Sequence, residues 1–177
     1  MINAADNGDC IRSSMAAPPP NASPQTLNHP RWMRLAIESA QDNPTAPFGA
    51  VVVDLNRQQV VATGCNDASV DPTLHGEVDC LRKASAVWDV DRRDQYWLYT
   101  TAEPCPMCMA ACVWAGLGGV VYGTSIATLS RLGFFQIDLT SHELAARSKW
   151  APERVVGGVC EAECDALFRR SSDLRNA

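Results

Sequence analysis

Residues 48–53, Phe-Gly-Ala-Val-Val-Val, form an unbroken apolar run rich in β-branched side chains. A strand with one face in water alternates apolar and polar residues, so this run predicts a strand covered on both faces. A polar turn at 56–59 and the run 60–65 complete an expected hairpin. Helical periods then alternate with further apolar runs. Met33, Ala36, Ile37 and Ala40 share one face of a helix that opens near Pro30 and ends near Asn43-Pro44. Cys80, Leu81, Ala84, Val87 and Trp88 share a face of a helix over 75–88, and 96–101 follows as an aromatic and β-branched strand. A helix over 105–114 is stopped by Gly116, Gly118 and Gly119 ahead of a strand at 120–122. Helices are expected at 126–132, 141–148 and 161–169, with one more strand at either 134–137 or 155–159. Strands that alternate with helices imply a three-layer α/β/α domain.

With 177 residues, 46% hydrophobic and 20% charged, the chain has the composition of one folded domain with a core of its own. Residues 1–28, with Pro18-Pro19-Pro20 and no periodicity, are expected to be a flexible tail, and 29–177 the domain. No apolar run approaches the ~20 residues of a membrane-spanning helix, and no signal-peptide pattern opens the chain, so a cytoplasmic location is expected. The 15 Lys and Arg face 20 Asp and Glu, a formal charge of -5, which argues against a large polyanionic partner such as DNA or tRNA. Eight cysteines are many for such a location. A chain this long needs no disulfide staples, so most of them are expected to pack as small hydrophobes.

Cys105 and Cys108 are different. They stand in Pro104-Cys105-Pro106-Met107-Cys108, where i, i+3 spacing on the opening turn of a helix puts both sulfurs on one side. The helix end favours thiolate, and thiolate with imidazole is a zinc donor set; His75 supplies the imidazole. Three protein ligands leave the fourth tetrahedral position to water, as in a catalytic zinc, whereas a structural zinc closes with four. His29, His142 and Cys112 are the candidates for a fourth ligand. Glu77, two residues after His75, is placed to reach an open position as a proton shuttle; its plain alternative is a glutamate stabilised at a helix start. Water activated beside a carboxylate can displace an amino group from a ring carbon, leaving a carbonyl and ammonia. The alternative from another class is a zinc-stabilised binding protein without turnover.

His75-Gly76-Glu77 and Pro104-Cys105-Pro106-Met107-Cys108 resemble the signature of the cytidine and purine deaminase superfamily. The similarity runs from about Arg31 to Gly123, through 47–51, Gly64-Cys65-Asn66 and Thr101-Ala102-Glu103, and is strongest to the bacterial guanine deaminase and tRNA adenosine deaminase branch. The resemblance implies a five-stranded mixed sheet between helical layers, and a homodimer with active sites near the subunit contact. It implies Zn²⁺ on His75, Cys105 and Cys108, with Glu77 as catalytic proton shuttle. Asn66 would hydrogen-bond the base, the Gly76 backbone would approach the ring edge, and Phe48 and Trp114 would be aromatic neighbours of the base. Guanine deaminases of this branch carry an acidic pair after a Gly-Phe, where this chain has Gly133-Phe134-Phe135-Gln136 and its nearest acid is Asp138. Their aromatic C-terminal tail is missing too. The expected reaction is deamination of a small heterocyclic amine, guanine or guanosine first, with cytosine or cytidine and tRNA adenosine as alternatives.

Overall fold

The structure, a computed structural model, describes residues 27–148 and 150–176. The expected tail therefore lies outside the described residues except for Leu27, which packs on the core, and Asn28, whose side chain caps the first helix. The elements are α1 (His29–Ser39, continued by a 3-10 turn Ala40–Asp42), β1 (Gly49–Asp54), β2 (Gln59–Cys65), α2 (Gly76–Ser85) and β3 (Tyr96–Ala102). They continue as α3 (Pro106–Ala115), β4 (Gly119–Thr124), α4 (Ile126–Arg131), α5 (Ser141–Arg147), β5 (Val155–Val156) and α6 (Glu161–Asn176). Strand order is β2-β1-β3-β4-β5. β1 is antiparallel to β2 and β3, while β3, β4 and β5 run parallel, so the sheet is mixed, as expected.

All six residues of β1 are buried, and they divide between two cores. Ala50 and Val52 join Leu98 and Val120 beneath α2, α3 and α5, through Cys80, Ala84, Met109, Cys112 and Ala145. Val51 and Val53 join Tyr99 and Val121 beneath α1 and α6, through Trp32, Met33, Ala36 and Cys164. The unbroken apolar run is thus what two helical layers require of one strand. Both layers come as close as they do through glycine. A Cβ on Gly49 would stand 2.4 Å from the Ala36 carbonyl oxygen, and one on Gly64 2.4 Å from the Gly76 oxygen.

One open choice is decided and two boundaries differ from expectation. The fifth strand forms at Val155–Val156, while 134–137 is an irregular segment held at the sheet's edge by Phe134, which packs on Phe48 and Phe168. Helix α2 stops at Ser85; Trp88 instead stacks on Tyr96 with ring centroids 5.8 Å apart. Helix α6 continues to Asn176, because Ser171 donates to the Thr45 carbonyl and Ser172 to the Leu132 carbonyl, fixing turns that periodicity alone leaves polar. Among the described residues no helix is long and apolar enough to cross a membrane.

Gly64→Ala tests the α2 contact. Its Cβ meets backbone atoms that cannot rotate away, Gly76 O at 2.4 Å and Cys80 N at 2.5 Å. Denaturant unfolding should show a lower midpoint at unchanged slope, corresponding to a loss of about 1–3 kcal/mol.

Candidate active site

One edge of the sheet collects every residue the motifs single out. It contains the carboxyl ends of β2, β3 and β4 and the start of β1, because β1 is antiparallel to β2 and to β3. Helices α2 and α3 begin there. His75 is the residue before the first turn of α2, and Cys105 holds the same place in α3, with Pro106 opening the helix. Proline at that position needs no amide partner and presets the backbone angle.

These two helix starts bring His75 Nδ1 to 3.5 Å from both the Cys105 and the Cys108 sulfur. Zinc–nitrogen and zinc–sulfur bonds of about 2.0 and 2.3 Å at a tetrahedral angle put nitrogen and sulfur roughly 3.5 Å apart. The three donor atoms, all within 4.8 Å of one another, therefore fit one zinc ion without rearrangement. No other such cluster occurs among the described residues. The Cys105 thiol is held far down, to about 4, chiefly by the hydrogen bond from the Cys108 thiol, and that of Cys108 rises correspondingly.

The candidate fourth ligands are elsewhere. His29 Nδ1 is hydrogen-bonded to the Tyr99 hydroxyl at 3.0 Å, under α1 on the far side of the sheet. His142 is exposed on α5. Cys112 is buried in the core with Cys80 and Met109.

Glu77 lies in the first turn of α2, 3% exposed, and the Thr100 hydroxyl donates to its Oε1 at 3.4 Å. Burial pushes its carboxyl above the ordinary range, and the neighbouring Cys105 sulfur adds to the effect. A carboxyl so placed takes up and gives back a proton more readily than an exposed one. His75, Cys105 and Glu77 line a cavity of about 340 Å³, within the range of small-molecule sites. Asn66, Phe48, Phe134, Phe135 and Ile137 line it too, with Phe48 and Phe134 in edge contact, ring centroids 5.7 Å apart. The Asn66 amide donates to the Phe48 carbonyl at 3.0 Å, and its carbonyl accepts from the Asn43 side chain at 2.9 Å, so its backbone is fixed at both ends.

Two residues expected beside the base lie outside the lining of this cavity. Gly76 is not in the cavity lining: a Cβ there would stand 2.1 Å from the Phe48 carbonyl oxygen, so its bare α-carbon serves packing between α2 and the start of β1. Trp114 is 87% exposed and stands at the far end of α3 from Cys105, about 13 Å along the axis, outside the cavity. It is neither a wall of the cavity nor part of the core.

Glu103 is a residue whose role composition and spacing left unread. It is 4% exposed, and its two oxygens accept from the backbone amides of Ile126 at 2.9 Å and Ser141 at 2.8 Å. It thereby ties the starts of α4 and α5 to the end of β3, beside Cys105. A glutamate directly before Pro-Cys was the available signal.

Residues 27–124 match the family model for the cytidine and deoxycytidylate deaminase zinc-binding region. The chain belongs to this deaminase family. A guanine deaminase of Bacillus subtilis (strain 168) is 36% identical over 114 residues, which cover 61% of this chain and 72% of that one. A tRNA-specific adenosine deaminase of Haemophilus influenzae is 32% identical over 143 residues, 76% of this chain and 77% of the other. The solved structure of a guanine deaminase from Nitrosomonas europaea superimposes with a TM-score of 0.65 at 25% identity, covering 81% of this chain and 84% of that one. The chain is accordingly a zinc-dependent hydrolytic deaminase of the cytidine deaminase-like fold.

Metal analysis separates the two cysteine classes. Cys108→Ala should lose nearly all bound zinc by elemental analysis. Cys112→Ala, one helical turn on, should keep its zinc and lose only stability, about 1–2 kcal/mol from the small buried side chain.

Proposed function

We propose that this deaminase acts on a free amino-substituted purine, guanine first, releasing ammonia and leaving a carbonyl on the ring. One observation carries the reading: His75 and Cys105 of the zinc-fitting triad and the buried Glu77 open together onto a cavity with aromatic walls and no Lys or Arg among its lining residues. A site for a phosphate or an anticodon loop needs such cations; a flat neutral ring needs apolar faces and a few polar edges. The guanine deaminase relatives support the same choice. Cytosine-type rings and tRNA adenosine are the alternatives.

His75, Cys105 and Cys108 would hold the zinc, which supplies Lewis acidity and lowers the pKa of a water it binds toward neutrality. Glu77 accepts the proton that water gives up as it adds to the amino-bearing ring carbon. It passes that proton to the adjacent ring nitrogen, then takes the proton left on the added hydroxyl and delivers it to the departing amine, so the sum is amine plus water to carbonyl plus ammonia. Asn66 holds a ring edge, and Phe48 and Phe134 exclude water from its face. The free thiols of the described residues fit a reducing, cytoplasmic setting.

We also propose a homodimer in which α3 is the contact. Pro-Met-Cys-Met-Ala-Ala-Cys-Val-Trp-Ala is apolar all round, yet Met107 and Trp114, seven residues apart and so on one stripe, are exposed. A helix apolar on every side is normally covered on every side, and a second copy would supply the cover.

Ammonia release over guanine, guanosine, adenine, cytosine and cytidine should be highest with guanine; none from any of the five would end this reading. Glu77→Gln should keep its zinc and fold and lose activity by about 10²–10⁴-fold. Sedimentation should give twice the chain mass for the wild type, and Trp114→Arg should shift the protein toward the single-chain mass.

A further inference from the structure

The proposed grip of Asn66 on a ring edge is set from outside the active-site cavity. Asn66 stands just past the end of β2, whose ladder with β1 closes at the pair Gly49 and Cys65. Beyond that pair its backbone is held by a single segment, 43–48, which runs from the 3-10 turn after α1 to the start of β1. The Phe48 carbonyl accepts from the Asn66 amide at 3.0 Å, and the Asn43 side-chain Nδ2 donates to the Asn66 carbonyl at 2.9 Å.

Asn43 is itself tied down. Its Oδ1 accepts from the Ala46 amide at 3.1 Å and from the Thr45 hydroxyl at 2.9 Å. Helix α6 steadies this turn through Ser171, whose hydroxyl donates to the Thr45 carbonyl at 2.7 Å. The Ala46 amide can only donate and the Asn66 carbonyl can only accept, so the Asn43 carboxamide fits one way round and uses both ends at once.

Asn66 lines two cavities, that of the active site and a second of about 380 Å³, whereas Asn43 lines only the second. Asn43 therefore does not touch a bound ring. Water in the second cavity takes the place of a lost donor at the Asn66 carbonyl, so the bond adds little to stability and its contribution is a fixed position.

We infer that Asn43 is a positioning residue for substrate: by spanning from its own turn to the Asn66 carbonyl, it fixes where the Asn66 carboxamide meets the ring. This rests on the deaminase reading above and on the role given there to Asn66. A group that orients substrate loses much of its effect when displaced by a fraction of an ångström, and the residues that lock it in place carry that precision.

The test uses the ring that the wild type deaminates fastest. Asn43→Asp keeps acceptor oxygens for Ala46 and Thr45 and has no hydrogen to give Asn66; Asn43→Ala removes both functions. If Asn43 only shapes its own turn, Asn43→Asp matches the wild type and Asn43→Ala alone is impaired. Positioning of Asn66 predicts that both raise KM about 3- to 10-fold, with kcat within about twofold and zinc content unchanged. In an Asn66→Ala background, where no carboxamide is left to place, Asn43→Asp should change kcat/KM by less than about twofold. The same cycle is read as Kd on a Glu77→Gln background, which binds the ring without turning it over. A wild-type KM in Asn43→Asp, or an equal loss with and without the Asn66 side chain, would overturn the assignment. A wild type silent on every amino heterocycle would instead sink the deaminase reading on which it rests.

Discussion

The site depends on helix starts meeting at one edge of the sheet. Backbone amides at the first turn of a helix lack partners and carry partial positive charge, so several such turns brought together repel each other and waste hydrogen bonds unless anionic groups stand between them. The chain places such groups at each start. The Cys105 and Cys108 sulfurs sit at the opening of α3, Glu77 sits in the first turn of α2, and Glu103 accepts the amides that open α4 and α5. Architecture thus requires negative charge where the chemistry requires metal ligands and a proton carrier. The zinc-fitting donors are part of what makes this edge a stable meeting point.

Strand direction decides which edge this is. With β3 and β4 parallel, each hands the chain to a helix at its carboxyl end, which is where ligand crevices form in open α/β sheets. β1 runs the other way, so its first residues, not its last, arrive there: Phe48 joins the cavity, and the Gly49 amide donates to the Thr101 hydroxyl at 3.1 Å. The mixed sheet therefore supplies an aromatic wall from a strand start and metal ligands from strand-to-helix turns. A fully parallel sheet would bring only the latter.

How much of this was legible in the sequence follows from the range of the contacts involved. His75, Glu77, Cys105 and Cys108 are set by local geometry, two short motifs on helix starts joined by a strand, and their meeting could be read from spacing. Strands β1, β3 and β4 were legible for a similar reason, since burial on both faces leaves an unbroken apolar signature, whereas the outermost strand β2, largely exposed, was legible through the polar turn that pairs it with β1. The far wall was not. Residues 134–137 are apolar enough to pass for a strand, and only Phe168 and Arg175, more than thirty residues on, make them a cavity wall. Trp114 was placed beside the base by the resemblance alone, and the stripe it shares with Met107 is exposed, where one chain has nothing to cover it.

The cysteines show how one side chain is sorted by place alone. Cys80 and Cys164 lie inside the cores, where burial pushes their thiols up to about 12 and leaves them neutral fillers. A Cβ on Gly123 would stand 2.3 Å from the Cys164 sulfur, so the spot has room for this small side chain against a bare backbone and little else. Cys105 has almost the same half-covered surroundings as Cys65, yet its thiol goes down to about 4 while that of Cys65 goes up. The difference is in the neighbours. At Cys65 burial is opposed by no such partner and the Asp42 and Asp79 carboxylates add to it, whereas Cys105 receives hydrogen bonds from Cys108 and His75 at the start of a helix. A chain can therefore hold several reduced cysteines without offering zinc several sites. Only Cys105 and Cys108 converge with His75 on one point, and Cys105 lies in the wall of the cavity that needs the ion.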